Sequence, residues 1–267
     1  QHDLARKGGM DLILKAMRQH QDAAEVQAWG CYAFGNETGN DQHYRVQIAE
    51  MRGIEVIIQA MKQHIRHEEV QKWGCYALGN IPVHTPANQR KIAELDGIDV
   101  ILRAMNTHKH AQTVQQWGCY ALGNLAVNVA ENQREIIQKG GIGVIIRATR
   151  EHQDCKEVQQ WGCYALGNTA GIDANQRRTI AVEGGIEAAF AAMRQHGNRE
   201  EVQKWGCYVV SAMVLCESAR PAIREGRALM EAALRRYPRN ADLRQYAQTG
   251  LRCCKIEVNG TSQGDHK

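Results

Sequence analysis

Two residue series in this chain have side chains capable of chemistry. Histidines stand at His20, His64, His108, His152 and His196, and cysteines at Cys31, Cys75, Cys119, Cys163 and Cys207, both series advancing by 44 residues. Imidazole and thiolate are metal ligands, and ligands of one ion must converge on it at about 2 Å. One copy per repeated unit does the opposite, because stacked units hold equivalent side chains roughly 10 Å apart, the spacing of packed helices. That separation excludes a shared metal and is too long for a disulfide. The histidines are therefore expected at helix ends, where imidazole meets orphan carbonyls. The cysteines are expected as buried, reduced thiols acting as small hydrophobes, which points to a reducing compartment. His67 and His110 add local histidines without a fixed ligand geometry. No phosphate-cradling glycine loop, His-Glu-x-x-His or Gly-x-Ser-x-Gly motif is present, so no enzyme activity, metal or cofactor is expected.

A third series is suited to binding. Trp29-Gly30-Cys31-Tyr32-Ala33-Phe34-Gly35-Asn36 returns as Trp73 to Asn80, Trp117 to Asn124 and Trp161 to Asn168, each reading WGCYALGN. A fifth copy opens as Trp205-Gly206-Cys207-Tyr208 and lapses into Val209-Val210-Ser211-Ala212. On a helical wheel at about 100° per residue, Val26, Gly30, Ala33 and Phe34 share one face, which is expected to pack against neighbouring helices. Glu25, Trp29, Tyr32 and Asn36 form an adjoining stripe roughly 60° wide. Stacking the copies turns this stripe into a ladder of Trp, Tyr and Asn, with Trp on the border between core and surface. The amides of Asn36, Asn80, Asn124 and Asn168 suit the main chain of an extended peptide, with helix capping as the plainer alternative. Tyr76, Tyr120, Tyr164 and Tyr208 continue the aromatic row from Tyr32. Glu25, Glu69, Glu157 and Glu201 lie on the same stripe, with Thr113 as the exception. Acidic groups beside indoles favour a ligand segment carrying Arg or Lys.

Self-similarity at 44 residues implies a stacked array, in which each unit buries surface only against its neighbours. In the unit at 83–126, Ala87 to Glu94 reads as a short polar helix stopped at Gly97. Gly97 to Met105 reads as a second, apolar-faced helix ending near His108, and a third helix runs from Thr113 to about Asn124-Leu125. The units are 1–38 (partial), 39–82, 83–126, 127–170, 171–214 and a degenerate cap at 215–255, followed by a flexible tail at 256–267. The first unit keeps Leu4 to Gly9 of its first helix. In the 171–214 unit, Asn175-Gln176-Arg177 stands one residue early, which is expected to lengthen that first helix by one. In the cap, Ala228 to Tyr237 and Ala241 to Cys254 imitate the second and third helices, and Tyr246 falls near the tryptophan position. Its many arginines give a terminal unit the wettable face it needs. Cys253-Cys254 is a weak acylation or redox candidate, and Asn259-Gly260-Thr261 fits a glycosylation pattern.

With 33 Lys and Arg against 29 Asp and Glu, the net charge of +4 is small for 267 residues and argues against dedicated nucleic-acid binding. No stretch is long and apolar enough for a transmembrane helix.

The unit resembles the armadillo repeat of importin-α and β-catenin. The likeness is carried by Asn132-Gln133-Arg134-Glu135-Ile136-Ile137, Gly140-Gly141-Ile142 and Glu157-Val158-Gln159 through Ala165-Leu166-Gly167-Asn168. It covers residues 1 to about 215, and the cap less closely. It implies an all-α, right-handed solenoid of three helices per 44-residue repeat. It also implies that the third helices line a concave groove whose asparagines bind an extended peptide, a role falling on Asn36, Asn80, Asn124 and Asn168 and weakening at Ala212. The familiar groove tryptophan of the family is Tyr164 here, and Trp161 stands where the family usually has a polar residue. The expected function is a non-enzymatic adaptor or scaffold for an extended, basic segment of another protein, in the cytoplasm of a eukaryotic cell. The alternatives are a structural block of a cytoskeletal or ciliary assembly, the regulatory array of a larger protein, and an organelle-tethering armadillo protein. No small-molecule substrate is expected, and membrane association only through a lipidated terminus or a partner.

Overall fold

A computed structural model of the chain describes residues 2–171 and 173–254. Among these residues there are seventeen α-helices, one 3-10 turn and no strand. The expected tail at 256–267, with Asn259-Gly260-Thr261, lies outside the described residues.

The first pair is α1 (His2–Gln19) and α2 (Ala24–Asn40). Four triplets follow: α3 (Gln42–Glu50), α4 (Gly53–Gln63) and α5 (Glu68–Asn80); α6 (Pro86–Glu94), α7 (Gly97–Thr107) and α8 (Gln112–Ala126); α9 (Ala130–Gln138), α10 (Gly141–Glu151) and α11 (Lys156–Thr169); α12 (Ala174–Val182), α13 (Gly185–Gln195) and α14 (Glu200–Met213). The chain then passes through the 3-10 turn Glu217–Ala219 and α15 (Arg220–Glu225) to α16 (Arg227–Arg236) and α17 (Ala241–Cys253). The third helices α2, α5, α8, α11, α14 and α17 pack in succession and form the spine of the solenoid.

The packed face of the third helix falls where the wheel puts it. Val70, Val114 and Val158, with Phe34, Leu78, Leu122 and Leu166, are fully buried. So are Cys31, Cys75, Cys119 and Cys207, and Cys163 nearly so. Burial pushes the thiols of Cys31, Cys163 and Cys207 up to about 12 and raises Cys75 and Cys119 as well, so all five stay protonated at neutral pH.

Three expectations about helix ends need correction. The left-handed residue between first and second helices is Arg52, Asp96, Gly140 or Gly184, one position before the expected glycine stop. Gly97 opens α7 as its sequence reads, and nothing larger fits there, since a Cβ would lie 2.3 Å from Ile92 Cγ2 and 2.6 Å from its carbonyl oxygen. The helix α12 has nine residues, as α9 does, and starts 44 residues after it. Gln176 and Arg177 thus occupy the places of Asn132 and Gln133, with no shift or lengthening. Arg177 Nη1 donates to Gly171 O at 2.9 Å, much as Gln133 Nε2 donates to Ala126 O. Finally, α1 runs unbroken through Gly8-Gly9 rather than splitting there. A Cβ at either glycine would meet nothing within 4 Å, so no neighbour presses the chain into a corner.

In the cap, Tyr246 takes the tryptophan position and its ring centre lies 5.0 Å from that of Tyr208. Arg235, Arg236, Arg239, Arg244 and Arg252 are exposed on this last layer. The thiols of Cys253 and Cys254 are half-buried and directed at the carbonyls of Val214 and Ile223.

Candidate functional site on the third helices

The aromatic residues of the repeated motif form one continuous ladder. Within each third helix the Trp and Tyr ring centres lie 5.6–5.9 Å apart, as in Trp73–Tyr76 and Trp161–Tyr164. Between units the Tyr of one helix meets the Trp of the next at 4.5–4.8 Å, in the order Tyr32–Trp73, Tyr76–Trp117, Tyr120–Trp161 and Tyr164–Trp205. Most pairs are edge-to-face, the arrangement an aromatic quadrupole favours. Trp29 is 64% exposed, whereas Trp73, Trp117, Trp161 and Trp205 are half-buried, as are Tyr32 and the other four tyrosines of the row. The tryptophans thus both fill the joints and keep part of each ring in solvent.

The asparagines do something other than expected. Asn124 Nδ2 donates to Gly79 O of the preceding unit at 2.9 Å, while its Oδ1 accepts from Tyr164 Oη of the following unit at 2.7 Å. Asn80 repeats this with Gly35 O at 3.1 Å and Tyr120 Oη at 2.8 Å. Both residues are buried, at 6% and 7% exposure. Asn36 Oδ1 accepts from Tyr76 and Asn168 Oδ1 from Tyr208, at 3.0 and 2.9 Å. Asn168 Nδ2 turns back to Tyr164 O of its own helix. Every oxygen of the amide ladder is therefore engaged in holding units together, and Asn80 and Asn124 commit one N–H to the joints as well. Glycine makes this possible: a Cβ on Gly123 would stand 2.4 Å from Tyr164 Cδ1. Burial raises the phenols of Tyr76, Tyr120, Tyr164 and Tyr208, so they remain donors.

The histidines also reach between units. His64, His108, His152 and His196 bring Nε2 to the carbonyls of Gln21, Ile65, Lys109 and Gln153 of the preceding unit, at 2.6–2.8 Å. The orphan carbonyls at the end of the second helix fall to another residue. Gln71 Nε2 donates to Met61 O and His64 O, and Gln27, Gln115, Gln159 and Gln203 do the same in their units. Sequence reasoning missed this series. Its signal is a polar residue recurring at 44-residue intervals beside the face assigned to the core.

Three of the four glutamates on the stripe already have a partner. Glu69 is bound by Lys72 at 3.0 Å and by Trp73 Nε1 at 2.9 Å, Glu201 by Lys204 at 2.6 Å, and Glu157 by Lys156 at 3.4 Å. The stripe is therefore less acidic than its glutamates suggest. Among the described residues no group of His, Cys, Asp and Glu could hold a metal ion, and no helix is long and apolar enough to cross a membrane.

The comparisons with known proteins agree with this geometry. The family profile described as "LRRK2 ARM repeat" matches residues 93–257, more than half of the chain. No curated protein sequence matches. An engineered protein solved as structural-genomics target OR329 superposes with a TM-score of 0.79 at 22% identity, over 92% of this chain and 96% of that one. A designed armadillo repeat protein in complex with the peptide (KR)4 gives a TM-score of 0.73 at 15% identity, covering 91% and 98% of the two chains. A structure titled for a phosphorylation switch between cadherin and beta-catenin gives 0.77 at 15% identity, covering 92% of this chain and 45% of that one. Three helices per 44-residue unit, stacked through their third helices, together with the matching profile, make the chain a member of the LRRK2-type armadillo repeat family.

Proposed function

We propose that the chain is a non-enzymatic protein-interaction scaffold that holds an extended segment of a partner along its third helices. The observation that carries this is the aromatic ladder, which runs unbroken through five units with part of each indole in solvent. Partly exposed aromatic rings in a fixed row are strong anchors at interfaces, because they bring large contact area with little side-chain entropy to lose. A designed relative of the same fold is bound to a peptide, which supports the same use of the surface here. Asn80 and Asn124 are buried in the joints between units, so recognition of the partner's main chain falls to a half-buried polar group beside an indole, Gln116. Nine free cysteines, five of them buried in one repeated position, suit a reducing, cytoplasmic setting.

The test is selection of binding segments from a random peptide library, followed by calorimetry on Trp117→Ala and Trp161→Ala. We expect each variant to lose roughly tenfold or more in affinity, the scale of an aromatic hot spot, while its far-ultraviolet circular dichroism is unchanged. Affinity that survives both substitutions would move the binding face elsewhere.

A further inference from the structure

The five copies of the third helix differ just before the tryptophan, and the difference singles out one place. The residues there are Ala28, Lys72, Gln116, Gln160 and Lys204, and four positions before each tryptophan stand Glu25, Glu69, Thr113, Glu157 and Glu201. Where Lys and Glu occur together they close over the indole. Lys72 Nζ sits 4.1 Å from the Trp73 ring centre and 3.0 Å from Glu69 Oε1. Lys204 Nζ sits 4.5 Å from the Trp205 ring centre and 2.6 Å from Glu201 Oε2. An ammonium within about 6 Å of an indole face is held by the ring quadrupole, and the carboxylate adds charge pairing. These two units show what the position accepts.

The unit at 127–170 has the same indole and carboxylate but no lysine of its own at that position. Gln160 brings no charge. Glu157 leans on Lys156 instead, at 3.4 Å, with side-chain exposures of 39% and 49%, and its Oε2 accepts from Cys155 Sγ at 3.5 Å. A pair that exposed is worth little and a thiol is a weak donor, so Glu157 turns towards Trp161 at small cost.

We propose that Trp161 and Glu157 form an open seat for a Lys or Arg side chain of the bound partner, in the position Lys72 and Lys204 fill within their own units. The proposal rests on the third helices being the binding face. Glu25, Trp29 and Ala28 have the composition of a second open seat. Trp117 does not, because Thr113 replaces the acid. The two self-filled units give a further cation nothing to gain, so the array selects a neutral segment with isolated cations over a continuous basic run.

The test follows the indole Nε1 signals of the isotope-labelled chain by NMR during titration with the capped pentapeptide Ala-Ala-Lys-Ala-Ala, and with its norleucine analogue as uncharged control. Trp161 and Trp29 are expected to shift with the lysine peptide, and Trp73, Trp117 and Trp205 to stay still. Gln160→Lys reproduces the Lys72 arrangement and should weaken the Trp161 response roughly tenfold while sparing Trp29. Lys72→Ala should bring Trp73 into play. The proposal is overturned if Trp161 fails to respond, responds equally to norleucine, or still responds in Gln160→Lys. Should library-selected segments bind through Trp117 and Trp161 yet ignore Gln160→Lys, the scaffold reading stands and the seat is discarded.

Discussion

The joint between α8 and α11 and the joint between α14 and α17 solve one stacking problem with different residues. In the first, Tyr120 meets Trp161, Tyr164 donates to Asn124, and His152 reaches Lys109 O at 2.8 Å. In the second, Tyr246 replaces the tryptophan, Ala212 replaces the asparagine, and Tyr237 Oη replaces the imidazole, reaching Gly197 O at a weaker 3.5 Å. The aromatic contact and the donor to the preceding corner are kept, while the buried amide is dropped. The amide and its phenol thus belong to joints flanked on both sides, and the terminal joint holds with aromatic contact and shape.

Alkali should have the largest effect. Burial pushes the thiols of Cys31, Cys163 and Cys207 up to about 12, against an ordinary value of 9.0, and raises Cys75 and Cys119 as well. A group raised in the folded state contributes its stability below the unfolded value and loses it as pH climbs towards the folded one. Stability should therefore hold to about pH 9 and fall steeply towards pH 12, read by circular dichroism. Replacing the five cysteines by alanine should move the loss to higher pH. An unmoved alkaline midpoint would take the thiols out of the explanation.

Next in size is Gly123→Ala, whose Cβ meets the Tyr164 ring at 2.4 Å and should cost about 1–3 kcal/mol in urea unfolding. Gly143→Ala, in α10, meets nothing closer than 3.5 Å and should instead gain up to about 1 kcal/mol. If both behave alike, the close ring approach is not what fixes glycine in the joint. Tyr164→Phe strands the buried Asn124 Oδ1 and should cost about 1–2 kcal/mol by the same measurement. Tyr237→Phe, at the terminal joint, should cost less than about 0.5 kcal/mol. Equal losses would erase the distinction between the joints.

How much of this could be read from sequence depends on whether an interaction stays within one unit. The 44-residue register, the three helices and the packed face of Val70, Gly74 and Leu78 follow from periodicity alone, because a wheel describes one helix against its own axis. Asn80 and Asn124 do not, since the wheel places them beside the aromatics without revealing that the next unit's phenol arrives at their oxygen. The histidines lie at the helix end their register predicts but reach a different carbonyl, because their partner sits 43 residues back. Lys72 and Lys204 escaped notice for a different reason. The lysines fall at a position where the five copies differ, so the repeat pattern carries no signal for them.

The alternation of distances along the ladder has an optical consequence. Bending the solenoid leaves the contacts inside each helix at 5.6–5.9 Å but opens or closes those between units at 4.5–4.8 Å. Coupling between neighbouring chromophores depends steeply on their separation and tilt. The near-ultraviolet dichroism of this chain is therefore a built-in gauge of its curvature, and a bound segment that straightens or tightens the array would register there without any label.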